Sequence, residues 1–192
     1  SEVVIRPNDT FDTLKEKVIN ATILGTFQST LTNFRYLNKR WLQNCNEERL
    51  LGVSLTGIMD NPLTNGKKKG LEELLTELKK IAVATNKDWA KRLGINQSVA
   101  ITCVKPSGTV SQLVDSASGI HARHNQYYIR TVRADKKDPL AKMMVDAGFP
   151  VEDDVTKPEH TVVFSFPIKG PQYGVYRTDM TAIEQLELWK VY

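Results

Sequence analysis

The sequence is poor in features that mark several protein classes. Its 192 residues hold two cysteines, Cys45 and Cys103, far apart and outside any Cys-x-x-Cys pair. That spacing excludes a disulfide framework or a zinc-binding array. No apolar run approaches the roughly 20 residues that cross a bilayer. The opening Ser1-Glu2-Val3-Val4-Ile5-Arg6 lacks the basic start and long apolar core of a secretory signal. No Walker A loop, internal repeat or low-complexity stretch occurs. These absences imply a cytoplasmic, soluble chain without a membrane partner.

What is present is ordinary for a folded protein: 41% hydrophobic and 25% charged residues, with 11 glycines and 8 prolines. Apolar residues recur at structural spacing throughout, which excludes disorder. The net charge of +4 suits an anionic ligand and falls far short of a nucleic-acid-binding composition. The densest cluster, Lys67-Lys68-Lys69, follows the turn signal Asn65-Gly66 and reads as a solvated loop tip, with a phosphate-binding patch as the alternative. Cys103 lies in an apolar run and reads as a small buried hydrophobe.

Strand and helix signals alternate. Residues 2–6 form a β-branched run ended by Pro7. Asn8-Asp9-Thr10 offers helix caps before Phe11, Leu14, Val18 and Ala21 on one face. Residues 50–58 suit a buried strand interrupted by glycines. A strongly periodic helix follows, with Leu71, Leu74, Leu75, Leu78, Ala82, Thr85 and Trp89 sharing a face, ending near Gly94. Residues 99–104 read as a buried strand and 127–132 as another. Asp138-Pro139 opens a helix to Gly148, and 162–166 form a strand stopped by Pro167. Thr181 to Glu184 matches a capping box, after which Ala182, Leu186 and Trp189 point one way. This alternation predicts an α/β sheet or barrel occupying residues 1–192 as one partial domain. The last helix has no stop signal, so the sequence reads as cut short.

The segment Lys105-Pro106-Ser107-Gly108-Thr109, between a strand and a short helix through Leu113, is the most informative. Pro106 fixes its own φ and keeps Lys105 extended, ending the strand. Ser107 suits an N-cap, and Gly108 has no side chain to block a ligand. The amides of Gly108, Thr109 and Val110 would lack intrahelical acceptors, and free amides at the positive end of a helix dipole bind anions. The hydroxyls of Ser107 and Thr109 and the charge of Lys105 would add to such a site. Simple helix capping is the alternative reading of the same residues.

The stretch Val104-Lys105-Pro106-Ser107-Gly108-Thr109-Val110 closely resembles the phosphate-binding segment of class II, adenosylcobalamin-dependent, ribonucleotide reductases. The resemblance continues in order through Leu51 to Asp60, Gly119-Ile120-His121, Arg130 to Arg133, Asp138-Pro139-Leu140 and Phe166 to Lys169. It implies part of a ten-stranded α/β barrel, and a reaction that replaces the ribose 2′-hydroxyl of a ribonucleotide by hydrogen through a cysteine thiyl radical. By the resemblance, Ser107, Gly108, Thr109 and Val110 bind the substrate phosphates, with Lys105, Gly119 and His121 at the active-site mouth. Adenosylcobalamin is the implied cofactor, and no residue here is assigned to it. The implied partners are the ribonucleotide, the remaining part of the reductase chain and a thioredoxin-type reductant, with no nucleic acid.

The family's radical cysteine, its partner glutamate and its reducing cysteine pair would lie outside residues 1–192. Neither Cys45 nor Cys103 matches them, so the chain is expected to be inactive alone, a piece left by an intein, a split gene or an incomplete sequence. Whether the substrate is a di- or triphosphate stays open. Two alternatives stand beside this reading: a metal-radical (class I) reductase segment, or a non-catalytic phosphate- or nucleic-acid-binding module. His121 and His124 share a helical spacing without a third metal ligand, and His124 reads as a surface residue. Arg123, Arg130 and Arg133 read as surface charge or as phosphate ligands, a choice that spacing does not make. Tyr127 and Tyr128 read as strand packing, and Trp41, Trp89 and Trp189 as core or interface anchors.

Overall fold

The computed structural model describes all 192 residues. They form two compact units, residues 1–123 with 173–192, and residues 124–172.

The first unit is built on parallel pairing. Strand β1 (Glu2–Val4) pairs in parallel with β2 (Ser54–Thr56). Parallel neighbours need a long crossover, and here it carries α1 (Phe11–Gln28) and α2 (Lys39–Glu48). Thr10 caps α1 through a reciprocal pair of bonds with Thr13. Helix α3 (Leu71–Leu93) packs on α1 and ends at Gly94 in the left-handed conformation, as its sequence predicts. The core lies between these helices and the strands, around Val3, Ile5, Leu14, Val18, Met59 and Ala82. Helix α6 (Ala182–Val191) starts with the predicted capping box, Thr181 with Glu184.

The second unit is an antiparallel sheet of order β3-β5-β4, from β3 (Tyr127–Asp135), β4 (Val151–Asp153) and β5 (Thr161–Lys169), with α5 (Pro139–Asp146) between β3 and β4 in sequence. Asp138 caps α5 and Pro139 occupies its first turn. Ala141, Val162 and Phe164 form its core. No helix in either unit is long and apolar enough to cross a membrane.

Several expectations change. Residues 99–104 are not a buried strand. They run extended beside residues 51–53 with one parallel bridge, Val53 to Thr102, and only Ile101 is buried within the apolar run. Cys103 is therefore exposed rather than a core residue, because its segment has a hydrogen-bonded neighbour on one side only. Pro167 does not stop β5, which pairs through it opposite Ile129. Strand β4 reaches only Val162 to Phe164, so at Pro167 one edge is open and a missing N–H is tolerated. In α6 the buried residue is Leu188, while Leu186 and Trp189 are exposed. Trp41 is exposed as well, so neither of these tryptophans anchors a core.

Candidate functional site

The predicted loop is an open turn on a buried frame. Helix α4 (Val110–Leu113) begins two residues later than Ser107 would set it, with Thr109 at the N-cap and no side-chain cap. Ser107 still captures an amide: its Oγ accepts from Ser111 N at 3.2 Å, and Ser111 Oγ donates to Ser107 O at 2.7 Å. Ser118 Oγ also donates to Ser107 O. Ser107 is buried by these contacts, whereas Gly108, Thr109 and Val110 are exposed. No backbone or side-chain acceptor in the protein takes the amides of those three residues. A Cβ at Gly108 would meet nothing within 4 Å. The turn is therefore neither buried nor obstructed.

The return limb explains how the turn is held. Gly119 has φ +57, and a Cβ there would lie 3.1 Å from Lys105 O, so a side chain would push the two limbs apart. Gly119 N donates to Thr56 Oγ1 at 2.9 Å, and Gly57 N donates to Ala117 O at 2.9 Å, tying the limb to the end of β2. Gly57 itself has φ +78, with Ile5 O 2.6 Å from where a Cβ would stand. The strand ends and the loop thus form one hydrogen-bonded assembly. Lys105 is half-buried with Nζ on Gly52 O at 3.3 Å, beside the loop's outgoing limb. His121 is exposed, its Nδ1 3.2 Å from Ser118 O. No three His, Cys, Asp or Glu side chains converge as a metal site.

Sequence reasoning missed the charged pair beneath the loop. Arg123 is 7% exposed, not surface charge, and donates from Nε to Asp60 Oδ1 at 2.8 Å and from Nη2 to Asp60 Oδ2 at 3.0 Å. Burial opposes the Arg123 charge, but the hydrogen bonds and charges of Asp60 and then Asp115 outweigh it and raise its pKa above the ordinary value. Asp60 closes the resembling stretch 51–60, yet nothing in that stretch distinguishes a buried carboxylate from an exposed one. A cavity of about 350 Å³ lies elsewhere in this unit, lined by α3, β2 and residues 102–104, and includes none of the loop residues.

Known proteins resemble this chain in sequence and in fold. The chain is 30% identical over 185 residues to the adenosylcobalamin-dependent ribonucleoside-triphosphate reductase of Euglena gracilis, covering 94% of this chain and 24% of that protein. It is 32% identical over 149 residues to the reductase of the same name from Lactobacillus gasseri, covering 65% of this chain and 20% of that one. The chain is homologous to class II ribonucleotide reductases. A crystal structure of a B12-dependent class II ribonucleotide reductase superposes with a TM-score of 0.76 at 24% identity, over 93% of this chain and 28% of that one, so the two share this part of the fold. No family model matches. The chain spans about a quarter of the length of the class II reductases it matches.

Proposed function

We propose that this chain supplies the substrate phosphate seat of an adenosylcobalamin-dependent ribonucleoside-triphosphate reductase, within part of the ten-stranded α/β barrel of that family. The observation that carries the reading is the row of amides at Gly108, Thr109 and Val110, exposed and without protein acceptors, above a glycine that leaves the approach open. Such donors complement an anion without a side chain having to move. Thr109 Oγ1 lies on the same exposed turn, while Ser107 holds the turn from inside. Lys105 and His121 flank it at the mouth, and Gly119 lets the limbs close. The relatives' names favour a triphosphate over a diphosphate substrate.

In this reading the seat orients the ribose for chemistry performed by residues outside this chain, and its contribution is positional. Adenosylcobalamin, when bound, supplies the radical that starts ribose reduction. Amide donors suit phosphate and not a corrin, so no residue here is assigned to that cofactor. The remaining part of the reductase and a thioredoxin-type reductant complete the reaction.

The test is Gly108→Val in the complete reductase. The added side chain fills the phosphate approach, and KM for the ribonucleoside triphosphate is expected to rise by on the order of tenfold or more. An unchanged KM removes the loop from the substrate site.

A further inference from the structure

The return limb, residues 114–117, is held by charged groups to which nothing above gives a part in the reaction. Arg123 uses Nε and Nη2 on Asp60, and also donates from Nη1 to Asp115 Oδ1 at 3.1 Å and from Nη2 to Asp115 O at 3.1 Å. Asp60 Oδ2 accepts from Ala117 N at 2.7 Å. Arg6 Nη1 adds bonds to Val114 O at 2.6 Å and Asp115 O at 3.1 Å. Asp115 has φ +47, a left-handed conformation open to aspartate more than to most residues, and here its carboxylate and carbonyl are both bonded by Arg123. The residue that turns the chain back from α4 is thus fixed at its carboxylate and its carbonyl.

We propose that Asp60, Arg123 and Asp115 form a positioning clamp that sets the amides of Gly108, Thr109 and Val110 for substrate phosphate; the inference rests on the phosphate reading of that turn. Three features separate a clamp from an incidental ion pair. The guanidinium makes four hydrogen bonds that join the 3-10 turn Ile58–Asp60 to the far end of the loop. The Asp60 and Arg123 side chains are 2% and 5% exposed, so water does not substitute for either partner. The Asp115 carboxylate is 69% exposed, and its ion pair offsets a negative charge five residues beyond Val110. Arg123 is a positioning residue here and not a phosphate ligand, because four of its five guanidinium N–H groups are committed to Asp60 and Asp115 and the side chain is buried.

Two substitutions in the complete reductase test the clamp, with Gly108→Val measured beside them. Arg123→Lys keeps the charge and loses the planar fork that joins Asp60 to Asp115. Asp115→Gly accepts the left-handed φ and leaves the buried Arg123–Asp60 pair intact, so it decides the matter if Arg123→Lys fails to fold. Each is expected to raise KM for the ribonucleoside triphosphate by on the order of tenfold while kcat stays within about twofold, because binding geometry and not bond chemistry is disturbed. A folded clamp variant with native KM, beside Gly108→Val with a raised KM, overturns the clamp and leaves the seat standing. Native KM in all three overturns both. A loss confined to kcat, or a lower KM in Asp115→Gly, also overturns the clamp, the latter because charge relief alone would then explain Asp115.

Discussion

Asp154 is where acid acts on the second unit. Its side chain is 3% exposed, and Oδ1 accepts from Thr156 Oγ1 at 2.5 Å, Thr156 N at 2.9 Å and Lys157 N at 3.1 Å, while Arg133 Nε donates to Oδ2 at 2.6 Å. The Thr156 hydroxyl first, then Arg133 and the backbone amides, hold this carboxyl well below its ordinary value of 3.8. A depressed pKa contributes stability that is full above the ordinary value and lost as pH falls through the folded one. Protection of the β5 amides in hydrogen exchange is therefore expected to stay level from neutrality to about pH 5 and to fall below about pH 3.8. Asp154→Asn should be less protected at neutral pH and lose less between pH 4 and 3; equal acid losses in both proteins would remove Asp154 as the cause. Residue-scale facts of this kind were illegible in the sequence. Arg133 and Arg123 look alike there, yet one is an exposed partner of a buried carboxylate and the other a buried partner of one buried carboxylate, Asp60, and one exposed, Asp115.

At the scale of elements, helix α3 shows how far periodicity reaches. Its span and its glycine stop follow from the spacing of leucines, but the buried face runs through Leu71, Leu78, Ala82, Asn86 and Ala90 and includes a polar residue that no hydrophobic pattern marks. Asn86 Nδ2 donates to Thr26 Oγ1 at 3.0 Å and Ser98 Oγ at 2.9 Å, and its Oδ1 accepts from Ser98 N at 3.0 Å. It joins α1, α3 and the approach to residues 99–104. Asn86→Leu keeps the number of side-chain heavy atoms but removes the acceptor and orphans the buried Ser98 amide, so it should cost about 1–3 kcal/mol in urea unfolding; a change below about 0.5 kcal/mol would mean that water replaces the lost bonds. Where an element packs on one face, as α1 and α5 do, its sequence announced it. Helix α2 buries no residue and was missed for that reason. Residues 99–104 carry the composition of a central strand in an edge position, and β-propensity does not separate the two.

For the whole molecule, the family was legible and the geometry only in part. The resemblance rests on short motifs that are read along the chain, whereas the contacts that hold the loop connect residues 57 and 63 positions apart, Asp60 with Ala117 and Arg123. The same contrast bears on the competing view of a nucleic-acid-binding module. Polynucleotide affinity depends on lysine and arginine displacing counterions, and its salt slope counts those contacts. The proposed seat uses neutral amides, Arg123 is paired with carboxylates, and Lys67 of the basic cluster donates to Asp179 O. The chain is therefore expected to bind tripolyphosphate or a ribonucleoside triphosphate saturably, with a shallow salt dependence that Gly108→Val abolishes together with binding. Single-stranded RNA should bind more weakly than the triphosphate at physiological salt. Titrating both ligands from about 50 to 200 mM salt checks this. RNA affinity that exceeds triphosphate affinity and falls about a thousandfold across that range would instead assign the net charge of +4 to a polyanion surface.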